Sequence, residues 1–408
     1  MSLVVQKYGG SSVADPARIQ KVAGRVAATR RKGHSLVVVV SALGDTTDDL
    51  LRLSRQISKN PSRRELDMLM STGEQISVAL LAMALHETGC DAISFTGGQV
   101  GIRTDSAYTR ARILNINTDR IRRELEKKRV VIVAGFQGVS PQREITTLGR
   151  GGSDLTAVAL AKALSADACE IYTDVEGIFT TDPRIAKDAR KIGRISYEEM
   201  LELASSGAQV MQSRSIEVAG KFNIPIHVRS SFSDKQGTWI VKEDRSMEEV
   251  LIRGVSLNKS EAKLTVNGLP NRPGVAAAIF RALARDGINV DMIIQNIGKL
   301  TDTAISFTVP KGESDHALKS IGALRGRLGF RDVSLDSNIA KVSVVGIGMR
   351  SHAGVAAAMF EALGKNRINI EMISTSEIKI SCVVKKGDGE KAARILHEEF
   401  RLGKKGGR

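Results

Sequence analysis

The sequence predicts an α/β protein: a largely parallel sheet covered by helices over residues 1–245, followed by two copies of a βαββαβ module. Three observations carry this. Short apolar, β-branched runs alternate with helical patterns through the first part, as in a sheet buried on both faces. Polar or glycine-rich stretches follow several of those runs directly, where open parallel sheets bind their ligands. The second part repeats itself motif by motif.

Leu3-Val4-Val5-Gln6-Lys7 is the first strand, and it ends in the turn Gly9-Gly10-Ser11-Ser12. Pro16 suits the first turn of an amphipathic helix whose apolar positions are Ile19, Val22 and Val26. Leu36 to Val40 is a buried strand. Leu66 to Leu85 is helical; Thr72-Gly73-Glu74 precedes Ile76, which sets Glu74 in a first turn, where the helix dipole favours an acid. The remaining strands are Ala92–Phe95, Val130–Ala134, Ala168–Thr173 and Ile224–Val228. Beyond strand ends lie Lys7 to Ser12, Ser41-Ala42, Gly135-Phe136 and Thr173-Asp174.

The duplication is explicit. Ala262-Lys263-Leu264-Thr265-Val266 returns as Ala340-Lys341-Val342-Ser343-Val344, and Gly274-Val275-Ala276-Ala277-Ala278 as Gly354-Val355-Ala356-Ala357-Ala358. Ile288-Asn289-Val290-Asp291-Met292-Ile293 returns as Ile368-Asn369-Ile370-Glu371-Met372-Ile373. Each copy has the element order of a ferredoxin-like module, over residues 262–335 and 340–402.

Composition narrows the function classes. The 408 residues carry a formal charge of +15, and 42% are hydrophobic. Lysines and arginines are spread through helical patterns without interleaved aromatics, which argues for nucleotide phosphates and against nucleic acid as the anionic partner. Uninterrupted apolar runs fall well short of the roughly 20 residues of a membrane span, and no signal peptide precedes the first strand; a cytoplasmic protein is expected. Cys90, Cys169 and Cys382 are too scattered for a disulfide framework or a metal site.

The stretch Thr147-Leu148-Gly149-Arg150-Gly151-Gly152-Ser153-Asp154 opens a helical pattern at Leu155. It offers backbone N–H groups at a helix N-terminus, a guanidinium fork and a carboxylate, all suited to an anionic or zwitterionic ligand. Lys7 ends its strand beside two glycines that let phosphate oxygens approach the backbone. Tyr172-Thr173-Asp174-Val175-Glu176-Gly177-Ile178-Phe179-Thr180-Thr181-Asp182-Pro183-Arg184 is a strand end and a loop with more acids, threonines and turn residues than a plain connection needs. No Walker A sequence and no protein-kinase motif set occurs.

These motifs, with Val40-Ser41-Ala42 and Ser374 to Ser381, stand in the order seen in aspartate kinases, and the chain resembles that family over nearly its whole length. The resemblance implies an amino-acid kinase fold over residues 1–245, two ACT modules, and ATP-dependent phosphorylation of the β-carboxylate of L-aspartate on the route to lysine, threonine and methionine. It implies that Lys7, Tyr8, Gly9, Gly10 and Ser41 meet the phosphates. Thr173, Asp174, Phe179, Asp182 and Arg184 line the nucleotide pocket, and Mg²⁺ arrives with ATP. Arg150 clamps a carboxylate of aspartate, aided by Thr47, Gly151, Gly152 and Ser153; Glu74 takes the ammonium; Asp154 orients Lys7, substrate or metal.

One position departs from the family pattern: Gln209 stands where a lysine toward the nucleotide phosphates is usual. For the ACT pair the resemblance implies feedback amino acids, threonine or lysine, and a homodimer or higher oligomer. The matching positions are Asn271, Gly274, Val275, Ala276, Asp291 and Gln295 in the first copy, and His352, Gly354, Val355, Asn369, Ile370 and Ser376 in the second. The family also inserts the first module within the second, so residues 247–260 are expected to contribute to the C-terminal one; Met247 offers an internal start. Acetylglutamate, uridylate and carbamate kinases share the fold but lack the Thr72-Gly73-Glu74 segment and the ACT pair. A sensor that has lost its chemistry is the rival outside enzymology.

Overall fold

The computed structural model describes residues 2–208, 210–243, 251–296, 303–352 and 354–403. Gln209 and Met247 lie outside them. The chain divides into two compact units: Met1–Ile178 with Lys191–Ala204 and Gln209–Asp244, and Phe179–Arg190 with Ser205–Ala208 and Arg245–Arg408.

The first unit is built on an eight-stranded sheet. Across it the strands are Arg194–Ser196, Thr238–Val241, Ile226–Ser230, Ala168–Thr173, Leu3–Tyr8, Ser35–Val40, Val130–Ala134 and Ala92–Phe95. All neighbours are parallel except Ile226–Ser230 and Thr238–Val241. Leu3–Tyr8 is the switch point: the chain proceeds to Ser35–Val40 on one side, and Ala168–Thr173 returns on the other. The register sets Tyr8 beside both Val40 and Tyr172, so three strand ends open together. The last parallel strand starts two residues beyond the predicted Ile224. Asn223 leaves the helix Ser213–Phe222 in a left-handed conformation, and the Ile224 N–H still bonds the Ala219 carbonyl.

One core cluster joins Tyr8, Leu36, Val38, Val40, Val130 and Ile132 to the buried faces of two helices. Ile19, Val22 and Val26 come from Pro16–Arg31, and Val78, Leu81 and Leu85 from Arg63–Glu87. The second helix corrects an expectation. It runs unbroken for 25 residues, so Glu74 sits mid-helix and not in a first turn. Ser71 and Thr72 hydroxyls bond back to the Met68 and Leu69 carbonyls, and the missing side chain of Gly73 admits Ala42. By length and composition this helix is apolar enough to cross a membrane, but half of the apolar window is buried inside the protein.

A smaller sheet, Ile113–Ile116, Ile102–Thr104, Gln137–Val139 and Ile145–Thr147, leads into the glycine turn and the helix Gly152–Leu164.

In the second unit the first repeat folds as Glu261–Leu269, helix Val275–Arg285, Ile293–Asn296, Thr303–Pro310, helix Ser314–Gly322 and Asp332–Asp336. Its sheet order is Ile293–Asn296, Thr303–Pro310, Glu261–Leu269, Asp332–Asp336. The second repeat supplies Ile339–Val345, helix Val355–Lys365, Met372–Thr375, Lys379–Lys385 and helix Gly389–Glu399. Its fourth strand is Gly254–Asn258, from before the first repeat, antiparallel to Ile339–Val345. The βαββαβ order therefore holds for the first copy, while the second borrows its last strand. Phe179–Arg190 belongs with this unit because Thr180 is tied to it. Its carbonyl accepts from the Val255 N–H, and its hydroxyl contacts His397 Nε2 at 3.0 Å and donates to the Leu402 carbonyl.

Candidate active site

Lys7, the penultimate residue of the central strand, places Nζ 2.7 Å from Asp154 Oδ1, with both side chains about nine-tenths buried. Asp154 lies in the first turn of Gly152–Leu164. The turn before it requires glycine: Gly149 and Gly151 have φ of 82° and 68°, and a Cβ on Gly152 would come within 2.9 Å of both Leu148 and Phe136. Ser153 is buried against Gly135, where a Cβ would approach its hydroxyl to 2.6 Å. Helix N-terminus, Lys7 and the Gly135 loop thus converge at the carboxyl ends of the strands.

The neighbouring loops are stitched to the same edge. Gly9 N–H donates to the Tyr172 carbonyl, Ser41 N–H to Tyr8, and Gly44 N–H to Gly10. A Cβ on Gly10 would lie 2.8 and 2.9 Å from the carbonyl oxygens of Gly44 and Ala42, so this cradle admits glycine alone. Glu74, buried, accepts the Ala42 N–H on Oε1 at 3.2 Å. Its Oε2 is buried with no partner among the described residues. Burial pushes the Glu74 carboxyl up to about 7, so the site holds an acid short of a cation.

Arg150 and Thr47 stand differently. Arg150 projects into solvent, with Nη2 3.7 Å from Asp48 Oδ1. Thr47 is half-buried in the first turn of Thr46–Ile57. Thr173 donates its hydroxyl to Asp174 Oδ1. Phe179, Asp182 and Arg184 belong to the second unit, where Arg184 grips both oxygens of Asp182 and holds its carboxyl below the usual range.

Among the effector positions, Gly274 and Gly354 are left-handed caps of equivalent helices, with φ of 91° and 101°. Val275 and Val355 are buried, while Asn271 and Gln295 are exposed. Asp291 ion-pairs with Lys341. The His352 ring contacts the Gly348 carbonyl, and Ser376 N–H donates to Lys379.

Two residues escaped the sequence reading. Asp67, fully buried, binds Thr109 and Thr147. Arg214 donates to the Leu148 and Ala111 carbonyls. The one available signal was that Asp67 and Glu74 are seven apart on a single helix, hence on one face. A separate cavity of about 430 Å³, lined by Arg30, Arg31, Cys90 and Lys128 among others, lies at the amino ends of strands, where Arg30 is spent on backbone carbonyls. Among the described residues no group of three or more His, Cys, Asp or Glu is placed to hold a metal.

The chain matches the amino acid kinase family over residues 2–230 and the ACT domain over residues 264–323 and 342–400. The aspartokinase of Mycolicibacterium smegmatis is 54% identical over 99% of this chain and 97% of its own length. The chain belongs to the aspartokinase family. Aspartokinases of known structure share its fold: Escherichia coli aspartokinase III in complex with aspartate and ADP (R-state) is 27% identical, with a TM-score of 0.82, over 97% of this chain and 99% of that one. The T-state of the same E. coli enzyme, in complex with lysine and aspartate, is 28% identical with a TM-score of 0.76, over 98% and 99%. Family and fold together make this aspartokinase relative a kinase.

Proposed function

We propose that the chain transfers the γ-phosphoryl group of ATP to the β-carboxylate of L-aspartate, forming 4-phospho-L-aspartate. The observation that carries this reading is the convergence of Lys7, Asp154 and the partnerless Glu74 oxygen at one strand-end crevice. A carboxylate nucleophile is ionised at neutral pH, so no general base is needed. What remains is to bring two anions together in line and to offset charge on the transferring group. Lys7 supplies that charge, and Asp154 holds its ammonium toward the crevice. The glycine cradle at Gly9 and Gly10, with Ser41, suits phosphate oxygens. Tyr8 has its hydroxyl bonded to Gln6 and its ring stacked on Tyr172, so it flanks the nucleotide strand end through its backbone.

Glu74 receives the substrate ammonium, which completes its unsatisfied carboxylate. Arg150, exposed in the free protein, folds onto a substrate carboxylate, with Thr47, Ser153 and the N–H groups of Gly151 and Gly152 around it. Thr173 and Asp174 are assigned to the nucleotide. The same role for Phe179, Asp182, Arg184 and Gln209 rests on the motif alone. Mg²⁺ bound to the phosphates of ATP would add positive charge there.

The ACT pair binds end-product amino acids, threonine or lysine, at Asn271, Gly274 to Ala276, Asp291 and Gln295 and at His352, Gly354, Val355, Asn369, Ile370 and Ser376. It also joins chains into a homodimer or larger assembly. The E. coli relative crystallised with lysine supports the choice of lysine as an effector. The reaction opens cytoplasmic synthesis of lysine, threonine and methionine. The test is ATP turnover with L-aspartate, the acyl phosphate being trapped by hydroxylamine, with and without threonine and lysine. Aspartyl hydroxamate establishes the reaction, and its suppression establishes feedback. Amino-acid binding without turnover would instead make the chain a sensor.

A further inference from the structure

Asp67 sits on the same face of Arg63–Glu87 as Glu74 and is 0% exposed. It takes three donors from two distant segments. The Thr109 N–H lies 2.9 and 3.1 Å from its two oxygens, the Thr147 N–H 2.9 Å from Oδ2, and the Thr147 hydroxyl 2.7 Å from Oδ1. Thr109 is a β-branched residue at φ 68°, a conformation such side chains adopt only when their surroundings impose it. Asp67 accepts the Thr109 N–H in that conformation. The consequence reaches the glycine turn: a Cβ on Gly149 would lie 3.2 Å from the Thr109 carbonyl oxygen, and Thr147 leads directly into that turn.

Arg214 closes the same pair of segments through carbonyls. It donates to Leu148 at 2.9 Å and to Ala111 at 3.2 Å, while the Ala111 N–H bonds Thr147. An acid therefore takes the N–H groups and a guanidinium the C=O groups, and between them the entry to Arg150, Ser153 and Asp154 is fixed.

We propose that Asp67 is a positioning residue for the aspartate-binding turn, holding Thr109 and Thr147 so that Arg150 and Ser153 stand at the height the substrate requires. The inference rests on the reading of that turn as the aspartate site. Asp67→Asn keeps the shape but turns an amide N–H₂ toward a backbone donor. It should raise the aspartate KM about tenfold, with ATP KM and kcat changed less than about threefold, because misplacing a binding group costs binding selectively. Thr147→Val removes one hydroxyl and should raise the aspartate KM in the same direction by less; it decides the matter if Asp67→Asn fails to fold. Adding Thr109→Gly to Asp67→Asn should recover part of the aspartate KM, since glycine takes the left-handed conformation unaided. A merely structural acid predicts no such rescue.

Calorimetric titration of aspartate should follow the KM order. A folded Asp67→Asn with wild-type aspartate KM, or with both KM values raised equally and no rescue, overturns the inference alone. A wild-type protein that neither turns over nor binds aspartate overturns the functional reading and this inference with it.

Discussion

Lys263 and Lys341 occupy equivalent positions in the two C-terminal repeats, and each forms its ion pair with the acid of the other repeat: Lys263 with Glu371, Lys341 with Asp291. Asp291 and Glu371 are themselves equivalent, as are Met292 and Met372, which share a small apolar cluster with Ile339 and Val383. The two modules thus meet about a pseudo-twofold axis within one chain. Lys341 is 1% exposed and also lies 2.6 Å from Glu261. Burial works against its charge, yet Glu261 and Asp291 together raise its pKa above the ordinary lysine value.

Removing one member of a buried pair costs about 3–5 kcal/mol, because the remaining charges are stranded. Lys341→Ala should therefore lower the melting transition of the C-terminal unit sharply in calorimetry. Lys263→Glu and Glu371→Lys should each destabilise, and the double exchange should recover most of the loss. Equal destabilisation by singles and double would remove the reciprocal pairing from the explanation.

Lys7→Ala should lose activity by about 10³-fold or more while keeping its circular dichroism spectrum, since the charge it offsets develops at the transferring group. Near-normal hydroxamate formation by that variant would sink the proposed mechanism.

Arg150→Ala should raise the aspartate KM about 10- to 100-fold, the scale of a lost charge-assisted hydrogen bond, with little change in ATP KM. Its melting temperature should be unchanged, because the side chain is exposed in the free protein.

Glu74 gives a pH prediction with a definite sign. Its carboxyl is pushed up to about 7 by burial, so the free site loses its anion as pH falls below that value. The apparent aspartate KM should rise as pH drops from 8 to 6. Stability runs the other way: the native state binds the extra proton, so this residue's contribution falls as pH rises from the unfolded carboxylate range through about 7. Glu74→Gln should abolish the pH dependence of aspartate binding, weaken that binding at pH 8, and raise the melting temperature there by about 3 °C. A lowered melting temperature at pH 8 would contradict this.

The strands were legible because β-branched runs such as Leu36–Val40 have few other uses, and the Gly149–Asp154 turn because its residue types are costly elsewhere. Glu74 was misplaced because Ser71-Thr72-Gly73 looks like a helix boundary. Only the tertiary contact with Ala42 explains a glycine there inside a helix. Asp67 was invisible for a simpler reason: its partners lie 42 and 80 residues away, and no local pattern announces them. No local pattern announces the borrowed strand of the second repeat either: only the family resemblance points to residues 247–260, since strand pairing between Gly254–Asn258 and Ile339–Val345 depends on chain that intervenes as a complete module.

That borrowed strand has a temporal meaning. Gly254–Asn258 leaves the ribosome before any of the module it completes, and its partner follows only after the whole first repeat has been made. The first repeat, local and self-contained, is free to fold as it emerges, whereas the second must wait with one edge already synthesised and exposed. Ile339–Val345 closes onto Gly254–Asn258 only once the first repeat has been made, and a nascent chain halted before that carries an unpaired sheet edge for chaperones or like chains to capture.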